Sequence, residues 1–148
     1  MNDVTLDIYI ISRLTHAYYA RELAKLGITM AQFPFIMGII ENDGISQDKL
    51  AKQLRMGKST TTAVIKQLEE KKLIVREVDA ADRRSFRLHA ADSAHALKKE
   101  IEAVVEQCNM LITSDLDGNS CGEFCNLLAE VRCCTEKKIG SSGNWPDK

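Results

Sequence analysis

The segment that most constrains this chain is Asp79 to Leu88, DAADRRSFRL, a tight turn dense in acidic and basic residues. It lies between two short runs of alternating polarity, Ile74 to Val78 and Phe86 to Ala90, so it predicts a two-stranded hairpin. Just before it stands GKSTTTAVIKQLEEKKL, Gly57 to Leu73. At helical spacing Val64, Ile65 and Leu68 fall on one side, and Ser59, Thr60, Thr62, Ala63, Lys66 and Gln67 lie on or beside the other. A polar-faced helix followed at once by a ribbon with arginines at its tip can hold two adjacent grooves of a duplex together.

The placement of charge agrees with a polyanionic partner. From Ser46 to His89 there are 11 Lys and Arg against 6 Asp and Glu, while the rest of the 148 residues carries 9 against 15. A formal net charge of −1 thus conceals a basic middle in an acidic frame. The length suits one domain, or one subunit of a dimer, with a real core. No apolar run approaches what a bilayer requires, and MNDVTLDIYIISR carries acids where a secretory leader needs basic residues. A cytoplasmic protein without a membrane partner is expected. The cysteines Cys108, Cys121, Cys125, Cys133 and Cys134 all lie in the last third, and an odd number argues against a secreted disulfide framework.

Around the hairpin, apolar periodicity predicts further helices. Leu6, Ile10, Leu14, Ala17, Leu23 and Leu26 place a first helix over Thr5 to Leu26, stopped by Gly27. Thr29 and Gln32 have the spacing of a capping box and start a second, with Pro34 expected to bend it near its start and Asn42-Asp43-Gly44 ending it. Ser46 caps a third helix to about Leu54. After the hairpin, Leu97, Ile101, Val104, Cys108 and Leu111 form a heptad stripe on a helix from about Ser93 to Ser114. A last helix from about Asp117 carries Phe124, Leu127, Leu128 and Val131 on one face.

The fold class is therefore mainly α with a small β-wing. A winged helix-turn-helix module over 29–90 is flanked by dimerisation helices over 1–26 and 92–138, all within a single domain, 1–148. The heptad stripe is too wide an apolar edge for its own winged module to cover, which predicts a two-fold homodimer. Residues 139–148, with Trp145, should form a flexible tail.

Along nearly its whole length the sequence resembles the MarR family of winged helix-turn-helix transcription regulators. The matching pieces are GITMAQF (Gly27 to Phe33), SQDKLAKQL (Ser46 to Leu54), GKSTTTAVIKQLEEKKLI (Gly57 to Ile74) and DAADRRSFRL, with Asp82-Arg83-Arg84 where the family carries its wing signature. The resemblance implies a homodimeric DNA-binding repressor, often released by a small phenolic or anionic compound and in some branches by oxidation or a metal. The chain departs from the pattern at Ala63, where a basic residue is common, at Lys72 and Ala94, where Gly is frequent, and at Ala80, where Pro is frequent.

Several residues are candidates for contact with DNA. Ser59, Thr60 and Thr62 are short hydroxyl side chains that let a helix enter a groove closely, with Lys58 and Lys66 as phosphate or guanine partners. Arg84 is the candidate minor-groove arginine, Asp82 braces that arginine or the wing turn, and Arg83 either pairs with the body of the subunit or reaches a phosphate. On the first helix Tyr9, Arg13 and His16 share one face, with Tyr19 three residues on. By the resemblance that helix borders an effector cleft, where Arg13 would pair with a carboxylate between aromatic walls. The competing assignment for Arg13 and His16 is ion pairing to the partner subunit.

Cys121 and Cys125 at i, i+4 and the adjacent Cys133 and Cys134 leave two alternatives open, thiol redox sensing or a soft metal. No His or Glu completes a ligand set, so neither a metal site nor a cofactor is assigned. A winged module that binds protein is a further alternative. Catalytic signatures are absent: there is no Gly-x-Ser-x-Gly, His-Glu-x-x-His or Cys-x-x-Cys, and GKSTTT lacks the preceding Gly and strand of a phosphate loop. An enzyme is not expected.

Overall fold

The structure, a computed structural model, describes residues 3–139, so most of the expected tail, Trp145 included, lies outside the described residues. The order is α1 (Val4–Lys25), α2 (Phe33–Glu41), β1 (Ile45–Ser46), α3 (Gln47–Leu54), α4 (Lys58–Glu70), β2 (Ile74–Val78), β3 (Phe86–Ala90), α5 (Asp92–Thr113) and α6 (Gly118–Lys138). It is a mainly helical chain with one small antiparallel sheet.

Local chemistry explains most of the boundaries. Thr29 and Gln32 form the reciprocal capping box: the Gln32 N–H donates to Thr29 Oγ1 at 3.3 Å and the Thr29 N–H to Gln32 Oε1 at 3.2 Å. Pro34 falls in the first turn of α2, where its missing donor would have had no helical partner, so it costs the helix no hydrogen bond. Ser46 caps α3 by accepting the Lys49 N–H, and Asp117 caps α6 by accepting the Ser120 N–H.

The first, third and fourth helices all end in the same way. The Ile28 N–H reaches back to the Leu23 carbonyl, Met56 to Ala51 and Leu73 to Leu68, around left-handed residues Gly27, Arg55 and Lys72. These are Schellman closures, and only the first uses glycine. The third ends α4 at Glu70, three residues short of the sequence expectation, with Lys72 at φ +58°.

The sheet has order β1-β3-β2. Strands β2 and β3 pair from Ile74↔Ala90 to Val78↔Phe86, over the spans read from the sequence. The third strand was not anticipated: two residues, Ile45 and Ser46, pair with Leu88 and Arg87. Nothing so short carries a periodic signal.

The chain forms two compact units, one running to Cys108 and the other from Asn109, with the division inside α5. The core of the first joins Phe35, Ile36 and Ile39 of α2, Leu50 of α3, Val64, Ile65 and Leu68 of α4, and Ile74 and Leu88 of the sheet, with Leu23, Ala94 and Ile101. Each of these side chains larger than Ala94 contributes roughly 1.5–3 kcal/mol by leaving water. Helices α2 and α3 meet closely, since a Cβ at Gly38 would stand 2.8 Å from Leu50 Cδ1.

This core corrects the expectation for α5. Leu97, Ile101 and Val104 belong to the hydrophobic cluster and Cys108 is buried, so the winged unit covers most of the stripe itself. Only beyond it do apolar residues stand out, with Leu111 at 54% exposure. In the second unit no residue of α6 is buried, and Leu127, Leu128 and Val131 are exposed. The N-terminal half of α1 likewise exposes Leu6, Ile10 and Leu14.

Candidate nucleic-acid interface

Helix α4 presents a polar face because its opposite face is anchored by Val64, Ile65 and Leu68 in the core. Lys58, Ser59, Thr62 and Lys66 are exposed, whereas Thr60 is half-buried. Gly57 supplies no side-chain cap to the first turn, so the helix N-terminus keeps its donors and positive dipole end for an anion. Thr62 is already held: its Oγ1 donates to the Lys58 carbonyl at 2.9 Å and accepts from Gln47 Nε2 at 3.1 Å. Lys66 stands 3.9 Å from Glu70, an exposed i, i+4 pair too weak to restrain it.

At the wing tip Asp82, Arg83 and Arg84 are all exposed. Of the two roles open to Asp82, the geometry shows the brace on the turn. Its Oδ1 accepts the Arg84 N–H at 3.0 Å, and its carbonyl accepts the Ser85 N–H at 2.8 Å. Among the described residues neither the Arg83 nor the Arg84 guanidinium has a hydrogen-bond or ion-pair partner. The ion pair considered for Arg83 is made instead by Arg87, whose Nε donates to Asp79 Oδ2 at 2.6 Å.

Asp79 ties the root of the wing. Its Oδ1 accepts the Ala81 N–H at 2.8 Å and its own N–H donates to the Ser85 carbonyl at 2.9 Å. The Ala81 amide, then the Arg87 guanidinium, holds its carboxyl below the usual carboxylate range. Arg87 also donates to the Gly44 carbonyl at 3.2 Å, and Arg76 spans from Glu69 (3.4 Å) to the face of Phe86 (4.5 Å to the centroid). His89 Nδ1 lies 3.0 Å from Asp43, and that hydrogen bond, with the Ala90 N–H, depresses the Asp43 pKa. The wing is thus fastened at its root by residues the sequence reading passed over: Asp79, Arg87, Arg76 and the Asp43–His89 pair. The strand register held a clue to them, since Val78↔Phe86 sets Asp79 and Arg87 just beyond and just inside the last rung.

Tyr9, Arg13 and His16 are exposed on α1 and engage in no hydrogen bond, ion pair or ring contact among the described residues. Tyr19 departs from them. It stacks on Phe33 at 5.8 Å, and burial together with the neighbouring Cys108 pushes its pKa up to about 12. Cys108 is buried, as its place in the stripe implies, while Cys125, Cys133 and Cys134 are exposed and Cys121 is half-buried. Among the described residues no group of three or more His, Cys, Asp or Glu could hold a metal ion, and no helix is long and apolar enough to cross a membrane.

A helix-turn-helix, α3 and α4, backed by α2 and followed by a two-stranded wing, defines a winged helix-turn-helix protein. Comparison with known proteins narrows the class. The sequence model of the MarR family matches residues 26–85. A protein of Thauera aromatica named as a transcriptional regulatory protein for the hcr operon is 37% identical over 105 residues, which cover 71% of this chain and 63% of that protein. The chain therefore spans less than two thirds of that relative's length. A MarR transcriptional regulator from Methanosarcina mazei matches with a TM-score of 0.84 at 27% identity, over 92% of this chain and 97% of its own. A protein from Listeria monocytogenes assigned to the MarR family and solved with 26mer DNA matches over 100% of both chains, with a TM-score of 0.84 at 23% identity. Residues 26–85 thus match the MarR family, and the fold of the chain is similar to that of a solved MarR transcriptional regulator at 27% identity.

Proposed function

We propose that the protein is a cytoplasmic, homodimeric DNA-binding repressor. Each α4 enters a major groove of a pseudo-palindromic operator, and each wing reaches the flanking minor groove. The two recognition helices sit about 34 Å apart, one helical turn of the duplex. One observation carries this reading: the free guanidinium groups of Arg83 and Arg84 stand on a turn already ordered by Asp82 and Asp79, next in sequence to a helix whose exposed face is Lys58, Ser59, Thr62 and Lys66. A pre-ordered cationic tip loses little conformational entropy when it meets phosphate or a narrow groove.

The relatives support it. One is named for an operon it regulates, and another was solved on DNA. Dimerisation is supported by the exposed apolar residues of α1 and α6, which a second copy would cover. Release by a small anionic or phenolic compound would use Tyr9, Arg13 and His16, exposed together on one helix. An effector favouring the DNA-incompetent form by about 3 kcal/mol shifts the population by roughly two orders of magnitude.

The test is selection of genomic fragments on the immobilised protein, followed by salt titration of the recovered duplex. Binding should weaken steeply with salt, by a log–log slope of about −0.9 for each phosphate neutralised. Failure to enrich any duplex in dilute buffer would overturn the proposal.

A further inference from the structure

Gln32 is buried to 2% exposure, yet it lies in the turn between α1 and α2, far from the exposed face of α4 in sequence. Both polar atoms of its amide are engaged. Oε1 accepts from the Thr29 N–H at 3.2 Å and from Lys71 Nζ at 2.9 Å, and Nε2 donates to Gln67 Oε1 at 3.0 Å. Lys71 Nζ also donates to the Gly27 carbonyl at 2.7 Å. The amide orientation follows from its partners, because an N–H and an ammonium both require an acceptor. Gln67 and Lys71 stand at i and i+4 on the C-terminal part of α4 and its cap, so one side chain grips one edge of that helix.

The apolar face of α4 cannot supply the same restraint. Packing of Val64, Ile65 and Leu68 is strong but has little directional preference, whereas hydrogen bonds to a fixed amide resist both rotation and sliding of the helix. At the other end of α4, Gln47 holds Thr62. The helix is thus clamped by polar groups at both ends, and base readout needs side chains placed to within about half an ångström.

Resting on the DNA-binding reading, we infer that Gln32 is a positioning residue for sequence recognition: through Gln67 and Lys71 it sets the seat of α4 that lets its exposed side chains distinguish one base sequence from another. The capping box then serves two elements at once, closing the turn that leads into α2 and registering the helix proposed to read DNA. Gln67 and Lys71 are themselves exposed and regain water when the amide is lost, so recognition should suffer more than folding.

The experiment measures binding of the full chain to a duplex recovered by the unmodified protein from genomic fragments, and to a scrambled duplex of equal length. The proteins are the unmodified chain, Gln32→Met, Gln32→Glu and Lys71→Met, each checked by thermal melting. Gln32→Met should lower the ratio of recovered to scrambled affinity about tenfold and leave the salt slope unchanged. Gln32→Glu, which keeps the acceptor for Lys71 and Thr29, should recover part of that ratio. Lys71→Met should lower it in the same direction, and it decides the matter if Gln32→Met fails to fold. Ratios within twofold of the unmodified protein for the folded variants overturn the inference while DNA binding stands. An unmodified protein that binds no duplex overturns the DNA reading and this inference with it.

Discussion

The winged unit and the terminal helices use the same apolar residues to opposite ends. In the first, Leu68 of α4 is at 0% exposure; in the second, Leu127 of α6 is at 53%. Both lie on amphipathic helices with respectable periodicity. The difference is that α4 meets α2, α3 and the sheet within its own compact unit, whereas no residue of α6 is buried. Periodicity tells which face of a helix wants covering. It does not tell whether the cover comes from the same chain. Helix α5 makes the point within a single element, because its stripe is enclosed as far as Cys108 and open from Leu111.

The largest expected effect tests that contrast directly. Leu68→Ala should cost about 2–5 kcal/mol of unfolding free energy, since it empties a fully packed site. Leu127→Ala, measured by urea denaturation at a concentration where the protein is monomeric, should change stability by no more than about 0.5 kcal/mol. Equal losses at the two sites would show that α6 is already covered within one chain, and the contrast would be gone.

Next in size is the consequence for assembly. A chain carrying Leu127→Glu and Leu128→Glu should fold but associate with itself at least about 100-fold more weakly, a change of about 2.7 kcal/mol. Sedimentation across a concentration series reads this, and DNA affinity should fall with it because two linked half-sites become one. A double variant that sediments like the unmodified protein would place the dimer surface elsewhere, leaving α1 as the remaining candidate.

A smaller effect belongs to the wing. Arg84→Ala should weaken binding to a recovered duplex about tenfold and reduce the salt slope by about one phosphate contact. Arg87→Ala should act differently, because that side chain is spent on Asp79 and Gly44. It should loosen the wing and raise the Asp79 pKa toward its ordinary value, with the carboxylate's chemical shift in an acid titration as the readout. If the two variants behave alike, the division between a free tip and a fastened root is wrong.

Much of this was legible because its causes are local. The hairpin, the Thr29–Gln32 box and the cap at Ser46 rest on residues within a few positions of one another, and their bonds formed as read, although α2 begins at Phe33, just after the box. The exposed face of α4 and the charged tip followed from periodicity and turn chemistry. What escaped was long-range. Strand β1 exists only because Leu88 and Arg87 offer it a partner, and the Gln32–Gln67 bond joins residues 35 apart. Arg83, Arg84 and Arg87 look alike in sequence, and only the register assigns Arg87 to Asp79 and leaves the other two at the tip.

The smallest effect concerns the turn that ends α4 and leads into the wing. Lys72 adopts φ +58°, a left-handed conformation that crowds a Cβ against the following carbonyl at a cost of about 1–2 kcal/mol. Gly27 occupies the equivalent closing position after α1 at φ +73° without that penalty. Lys72→Gly removes the crowding but gives the unfolded chain extra freedom worth about 0.4–1 kcal/mol. The net expectation is a gain of about 0.5 kcal/mol, read as a slightly higher denaturation midpoint with unchanged slope. The Ser93 hydroxyl, which donates to the Lys72 carbonyl at 2.7 Å, keeps the turn closed in either case. A variant less stable than the unmodified protein would mean that the lysine stem contributes packing that outweighs the strain, and that this closure resembles the filled core of the winged unit more than its exposed surface.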